Sequence, residues 1–421
     1  MVKSVPPGSR LFWLASLVLW TVAGGCGSPD VDREGQLTVP GPDLTHLGDQ
    51  RLKGAIEAAQ ATVAQRASAE SWGHLGHLYF IHGWPSEATD CYQRAVDLEP
   101  DQFRWQYFHG RALSETDLAG AAAAFERAIG IDAGYIPAYV HGARILTDMG
   151  QLDAAVGYLE RARTLDPDNP FVELGLAQHA LAAGEFESAR PHLQRALELD
   201  ADLGEAHAAL AQVYMAQGDR ELSRRHADLS ARERQGRMMT DPLFTAVQQL
   251  GISRFWLHTR GKSRLQAGDF AGALTQFSLL VDDVDQEGDP MVWCGYGGAL
   301  LGLGRHDEAL AALERALSEA ERQDGHSPLS PENVRLIHTN LGHAYAVTAR
   351  QQMAISHLRE ALRLDPASVS AAFNLALVYF RADSLEQARD VLEESMADLQ
   401  GHQQAAQLLR TVRERTAAVE P

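Results

Sequence analysis

Residue types that hold metals or carry catalysis occur in this chain as isolated groups. His74 and His77 lie three positions apart, which places both on one face of a helix, but no third ligand follows at a suitable spacing. Cys91 and Cys294 are far apart along the chain, and each is expected to be a small filler of the core. The sequence has no glycine-rich phosphate loop, no nucleophile-elbow serine and no His-Glu-x-x-His helix. We therefore predict no catalytic residue, no metal site and no cofactor.

One stretch keeps a weaker enzymatic alternative open. Residues 236–256 contain Asp241 and Ser253, and His258 follows two positions later; these are residue types used in hydrolytic sites. Their spacing shows no nucleophile next to a base, so this alternative depends on the fold bringing them together.

Composition excludes several other classes of function. The 421 residues include 37 basic and 56 acidic side chains, which gives a net charge of −19. A surface this acidic repels phosphates, so nucleic acid is not an expected partner. Three cysteines are too few for a disulfide framework. Apolar residues make up 45% of the chain and aromatic residues only 7%, which favours a helical protein with a substantial core.

The N-terminus has the pattern of an export signal. Lys3 and Arg10 precede an apolar run at residues 11–22, and three small residues then lead to Cys26. The run is too short to span a bilayer as a stable helix. The whole block resembles a bacterial lipoprotein signal, which implies cleavage before Cys26, lipidation of its thiol and attachment to a membrane only through that lipid. The alternative is an ordinary cleaved signal with an incidental cysteine.

The residue after Cys26 refines the expected location. In Gram-negative lipoproteins an aspartate at this position favours the inner membrane, whereas this chain has Gly27. The resemblance therefore implies a cell-envelope protein on the outer membrane, facing the periplasm.

The rest of the chain is an internal repeat. The first copy has a regular set of aromatic, small and closing residues, namely Trp72, Leu75, Gly76, Tyr79, Gly83, Ala88, Tyr92, Ala95 and Pro100. Further copies follow, mostly in steps of 33 to 34 residues. The pattern resembles the tetratricopeptide repeat (TPR), which implies an all-α solenoid of about nine helical hairpins.

The repeated residue types have physical reasons. Gly76 and Gly342 occupy the small position, where two helices of a hairpin must approach closely. Glycines at 83, 150, 184 and 218 are expected at the hairpin turns, where a positive φ costs glycine little. A single hairpin cannot bury its apolar face, so stability comes from stacking.

The repeat boundaries predict two arrays joined by a helical segment outside the pattern. The expected divisions are a signal peptide at 1–25, a flexible tether at 26–45, an N-terminal capping helix at 46–68, five repeats at 69–235, a non-repeat bridging segment at 236–253, four repeats at 254–397, and a C-terminal capping helix and tail at 398–421. A polar stretch at 318–334 is expected to be a surface loop inside the second array.

In the TPR pattern the first helix of each hairpin lines a concave groove. By that resemblance the candidate groove residues, chosen for binding protein, are His77, Phe80, Gln106, Arg144, Gln178, Gln212, Lys262, His343, Phe373 and Phe380. Their mixture of amide, imidazole, cationic and aromatic groups suits the backbone and side chains of an extended peptide.

The sequence thus favours a lipid-anchored, non-enzymatic scaffold that binds a protein or an extended peptide in its groove. The main alternative is an accessory structural subunit of an envelope assembly for secretion, outer-membrane biogenesis or electron transfer. The sequence leaves the partner, the pathway and the oligomeric state open.

Overall fold

The computed structural model describes residues 39, 41–45, 47–232, 239–281, 288–323, 329–394 and 403–419. These residues form 21 α-helices, and no strand occurs among them. The predicted all-α solenoid is therefore confirmed. The signal peptide and Cys26 lie outside the described residues.

The helices pair into nine hairpins within the described part of the chain. Helix α1 (Gln50–Gln65) precedes the first array, whose five hairpins are α2 (Ala69–Ile81) with α3 (Pro85–Leu98), α4 (Phe103–Leu113) with α5 (Leu118–Ile131), α6 (Ile136–Asp148) with α7 (Leu152–Leu165), α8 (Pro170–Ala182) with α9 (Phe186–Leu199), and α10 (Gly204–Gln217) with α11 (Arg220–Arg232). Helix α12 (Pro242–Gln248) is followed by the second array, which comprises α13 (Arg254–Gln266) with α14 (Phe270–Val281), α15 (Pro290–Gly302) with α16 (His306–Gln323), α17 (Pro331–Val347) with α18 (Gln351–Leu364), and α19 (Val369–Arg381) with α20 (Leu385–Glu394). Helix α21 (Gln403–Val419) is the last element.

The hairpin turns depend on one residue with a left-handed backbone. The four glycines expected there, at positions 83, 150, 184 and 218, have φ between 73° and 86°, which confirms that prediction. Ala349 and Asp383 hold the same place in the last two hairpins, with φ of 60° at both residues. A side chain in this region is strained by about 1–2 kcal/mol, so these two turns form against a local cost.

Close packing inside the hairpins explains the small residues. A Cβ added to Gly76 would lie 2.9 Å from Cε1 of Tyr92, and one added to Gly342 would lie 2.4 Å from Cγ of Leu358. Tyr92 and Leu358 are themselves fully buried. Burying a large apolar side chain of this kind contributes about 1.5–3 kcal/mol, and the glycine makes room for it.

The first helices of neighbouring hairpins also contact each other. Such contacts join α6 to α8 and α8 to α10, and they join α13, α15, α17 and α19 in order. These first helices therefore form a common surface, which we call the groove, and we call them the inner helices.

The beginning of the second array lies against the first hairpin. The carboxylate of Asp49 caps α1 through Leu52 N at 3.2 Å and also accepts a hydrogen bond from Arg254 N at 3.1 Å. The indole Nε1 of Trp256 donates to the carbonyl oxygen of Ile81 at 2.9 Å. The two arrays are therefore fastened together at the N-terminal ends of both.

One sequence expectation needs correction. The stretch 318–334 was expected to be a surface loop, but α16 continues to Gln323 and α17 begins at Pro331. The polar residues here lie largely on helices because amphipathic helices carry polar side chains on their outer face.

Candidate functional site

The chain returns to its own first array after α11. Residues 239–252, which we call the return segment, lie against the inner helices of the first three hairpins. The ring of Phe244 packs edge-on against Phe80 of α2, with centroids 6.2 Å apart, and Val247 is buried in the same core. The return segment therefore occupies part of the groove, whereas the sequence predicted only a bridge over residues 236–253.

A buried carboxylate fixes the start of the return segment. Asp241 is only 4% exposed and accepts hydrogen bonds from Tyr107 Oη at 2.5 Å, Tyr135 Oη at 2.5 Å and Arg111 Nη1 at 3.0 Å. It also caps α12 by accepting a bond from Phe244 N at 2.9 Å. A buried carboxylate needs this number of donors to offset its lost hydration. We call these four side chains (Tyr107, Arg111, Tyr135 and Asp241) the Asp241 cluster.

Both tyrosines of the cluster are held in the protonated form. Burial raises the pKa of Tyr107 well above 10, and the nearby Asp241 carboxylate adds to that effect against the opposing charge of Arg111. Burial and the hydrogen bond to Asp241 also raise the pKa of Tyr135. The two hydroxyls therefore remain available as donors at neutral pH.

A cavity of about 680 Å³ lies beside the return segment. Residues of α6 and α8 form one side, and Met239, Asp241 and Phe244 form part of the other. The remaining lining residues are Arg111, Val140, His141, Ala143, Arg144, Thr147, Asp148, Leu159, Phe171, Leu174, Gly175, Gln178, Ala182 and Glu205. A volume of this size suits several residues of an extended peptide.

The cavity offers polar groups on an apolar floor. The Arg144 guanidinium is 52% exposed, and its nearest carboxylate is Asp148 at 3.7 Å. Gln178 is exposed on the next inner helix. Burial, followed by the charges of Arg111 and Arg144, holds the pKa of His141 well below 6.5, so this side chain is neutral. The site can bind a carboxylate through Arg144 and peptide amides through Gln178 and His141.

The structure thus brings together some of the predicted groove residues. Arg144 and Gln178 both line the cavity, and Phe80 contacts the return segment through Phe244. Gln212 is exposed and lines a separate surface pocket of about 530 Å³ with Phe186 and Met215 among its other residues.

Two predicted groove residues are engaged inside the first array. Gln106 is 2% exposed, donates to the Pro100 carbonyl at 3.0 Å and accepts from Arg127 Nε at 3.0 Å. Its place on the groove surface is corrected, because it lies in the first turn of α4 and folds back onto the connection from α3. His77 is largely buried, with its Nδ1 2.8 Å from Tyr92 Oη.

The second-array candidates do not reach the cavity. Lys262 and His343 are exposed on α13 and α17. Phe373 packs against the apolar cluster that includes α21, and Phe380 has the Arg415 guanidinium of α21 5.0 Å from its ring centroid. The terminal helix therefore covers the last two aromatic candidates.

Several residues of the site were missed by sequence reasoning. These are Tyr107, Arg111, Tyr135, His141 and Met239. The usable signal was the Asp-Pro pair at 241–242, typical of a helix start.

Other chemistry in the described residues is limited. Asp241 bonds to neither Ser253 nor His258, so these three do not form the constellation that the enzymatic alternative requires. No group of three or more metal-ligating side chains occurs in the described part of the chain. Burial raises the pKa of the Cys294 thiol to about 12. Among the helices described, none is both long and apolar enough to cross a bilayer.

Comparison with known families agrees with the architecture. Two sequence profiles, both described as tetratricopeptide repeat, match the chain. One matches residues 112–178, 146–194, 180–236 and 352–412, and the other matches 74–136 and 258–328. Together they cover more than half of the chain, which belongs to the tetratricopeptide-repeat proteins. A search of curated proteins finds no match.

Solved structures with similar folds include three that differ in length. MamA (residues 41 to the end) from Desulfovibrio magneticus RS-1 is 18% identical, with a TM-score of 0.35 over 39% of this chain and 94% of its own. The Cut9–Hcn1 hetero-tetramer of APC/C gives 16% identity, a TM-score of 0.35, and 82% and 76% coverage. YrrB, described as a TPR protein with an unusual peptide-binding site, is 15% identical, with a TM-score of 0.28 over 59% of this chain and 96% of its own.

Proposed function

We propose that this chain is a protein-interaction scaffold that holds an extended segment of a partner protein in the groove of its first array. The observation that carries the proposal is the cavity beside the return segment, where Arg144 and Gln178 stand over apolar side chains of two inner helices. A partner carboxylate pairs with Arg144, and the partner backbone bonds to Gln178.

The return segment supports this assignment by narrowing the free groove. The inner surface of the first two hairpins is covered by Asp241 and Phe244, so the partner enters at α6 and α8. The partner segment then lies between the inner helices and the return segment.

We further propose that the scaffold is anchored to the cell envelope by lipid on Cys26, on the outer membrane and facing the periplasm. The support is the signal-like N-terminus described above. Replacing Cys26 with serine is expected to move the protein from the membrane fraction to the soluble fraction and to abolish labelling with a radioactive fatty acid. The variant Cys91→Ser serves as the matched control and should remain membrane-bound. Retention of the label on the Cys26 variant would contradict the anchor.

Photo-crosslinking tests the groove. A benzoylphenylalanine in place of Thr147, which lines the cavity, should form an adduct with the partner in intact cells. Arg144→Ala should weaken binding about fivefold, since an exposed charge pair contributes about 1 kcal/mol. Gln178→Ala should also lower the adduct yield.

The control is Arg161→Ala, which removes an exposed arginine of α7 outside the cavity lining. It should leave the yield unchanged. No adduct at position 147, or a yield unaffected by both cavity substitutions, would refute binding at this site.

A further inference from the structure

The return segment contacts the first array as a bound peptide contacts its receptor, through a few side chains of one short stretch. Its contacts come from a short stretch in which Asp241, Phe244 and Val247 recur every three residues. The Asp241 carboxylate accepts hydrogen bonds from polar groups, and the Phe244 ring makes an aromatic contact. The Val247 side chain packs into the apolar core.

One receptor residue contacts two of these anchors. Arg111 of α4 donates to Asp241 Oδ2 at 3.0 Å, and its guanidinium carbon lies 4.5 Å from the Phe244 ring centroid. Tyr107 and Tyr135 complete the carboxylate site from α4 and from the residue preceding α6. The inner surface of the first array therefore binds a carboxylate of the segment and an aromatic ring three positions after it.

The segment does not fill the space available to it. The cavity of about 680 Å³ runs along Met239, Asp241 and Phe244 and is open to solvent, so the groove beside the segment is only partly occupied. Helix α12 has only seven residues, and an isolated helix of that length is unstable in water. The segment is thus ordered by the groove that it occupies.

We propose that the inner surface of the first three hairpins is a peptide-binding site for an Asp-x-x-Phe segment that starts a helical turn, and that the return segment occupies it as an exchangeable internal ligand. A partner protein presenting the same carboxylate and aromatic ring competes for the site. The proposal rests on the proposed function in treating the groove as a peptide-binding surface. Because the internal ligand has an effective concentration on the order of 1 mM, a partner must bind tightly or the segment must be weakened.

The test uses the complete chain and a fluorescein-labelled synthetic peptide with the sequence of residues 239–252. In the wild-type chain the site is occupied, and the peptide should bind weakly in fluorescence anisotropy. The chain variant Asp241→Asn loses the anion that three donors hold, so the wild-type peptide should bind at least tenfold more tightly to it. The same peptide carrying Asp241→Asn should not bind.

The matched control is Asp153→Asn, which changes an exposed aspartate in the first turn of α7. If the peptide binds the Asp241→Asn chain no more tightly than the Asp153→Asn chain, the segment is a permanent part of the fold. That result would overturn the proposal.

A second variant covers the case in which Asp241→Asn does not fold, as judged by circular dichroism. Phe244→Ala leaves every receptor residue intact, and the same tenfold gain is expected. If neither variant folds, the segment is obligatory for folding and the proposal fails.

The experiments distinguish failure of this proposal from failure of the proposed function. If the peptide does not exchange but an Arg144-dependent crosslink forms at position 147, the scaffold function stands and the internal-ligand proposal fails. Successful exchange without that crosslink would leave only the internal site.

Discussion

Buried histidines make the first array sensitive to acid. Burial lowers the pKa of His77 to about 3, with smaller contributions from His74 and Arg104. Burial likewise lowers the pKa of His109, which is 5% exposed, to about 4, and Arg127 adds to that effect. In the unfolded chain both imidazoles have a pKa near 6.5.

The direction of the pH effect follows from these shifts. Below pH 6.5 the unfolded chain binds protons that the folded chain does not, so stability is fully present above that pH and falls as the solution is acidified toward pH 4 and 3. At pH 5 the solution lies about 1.5 units below the unfolded pKa of each histidine. Each group therefore lowers the free energy of unfolding by about 2 kcal/mol. His77 and His109 together should therefore remove about 4 kcal/mol between neutral pH and pH 5.

Urea unfolding at pH 7.5 and pH 5.0, followed by circular dichroism, measures this loss. With a slope of about 2 kcal/mol/M, these two histidines should contribute about 2 M to the fall in the midpoint of the first-array transition. The double variant His77→Gln, His109→Gln should shift by about 2 M less than the wild-type chain and keep a remainder, because burial also lowers the pKa of His82 to about 4 and that of His141 well below 6.5. The variant His74→Gln, which changes an exposed histidine of α2, should shift as much as the wild-type chain. If the double variant keeps the full shift, these two buried imidazoles are not its source and the reasoning is refuted.

Three further outcomes test local packing. Gly342→Ala should lower the unfolding free energy by about 1–3 kcal/mol despite the better helix propensity of alanine, because the added Cβ would lie 2.4 Å from a buried leucine. Urea unfolding measures this loss, and a more stable variant would contradict the close approach. Ala349→Gly should raise the melting temperature by relieving a φ of 60°, with a net gain of about 0.5–1 kcal/mol; an unchanged or lower value would show that the turn is unstrained. Tyr135→Phe removes a donor from buried Asp241 and should cost about 1–3 kcal/mol, with faster amide hydrogen exchange across α12; unchanged exchange there would contradict the role of this hydroxyl.

The hairpins could be predicted because their signals are local. The small residue at Gly76, the large one at Tyr92 and the turn glycine at Gly83 recur at fixed spacing, and each has a contact or a dihedral angle that requires it. Ala349 and Asp383 escaped this reasoning because their turns keep the left-handed backbone without glycine, closed by the backbone hydrogen bonds from Arg350 N to Tyr345 O and from Ser384 N to Tyr379 O.

The site could be predicted only in part. Arg144 and Gln178 follow from repeat position, since inner-helix residues of one hairpin resemble those of the next. The pairing of Tyr107 with Asp241 joins residues 134 positions apart, and no periodicity encodes such a contact. Gln106 was wrongly assigned to the groove, because the hydrogen bond from its side chain to the Pro100 carbonyl depends on the particular connection from α3, which repeat position does not predict.

The terminal helix shows the same limit. Phe373 and Phe380 occupy inner positions in the repeat pattern, but whether they face solvent depends on where α21 docks. Its docking is set by apolar residues of α21, among them Ala405 and Leu409, which share a cluster with Phe373.

The return segment also restricts how this protein can vary in length. Solenoids commonly gain or lose whole units, because each unit contacts only its neighbours. Here the chain leaves the fifth hairpin and must deliver Asp241 to tyrosines of the second and third. A sixth hairpin inserted after α11 would carry the exit point further from the tyrosines, and a missing hairpin would leave surplus chain. The number of hairpins before the crossing is therefore expected to stay constant among relatives that keep this aspartate, while the second array remains free to grow.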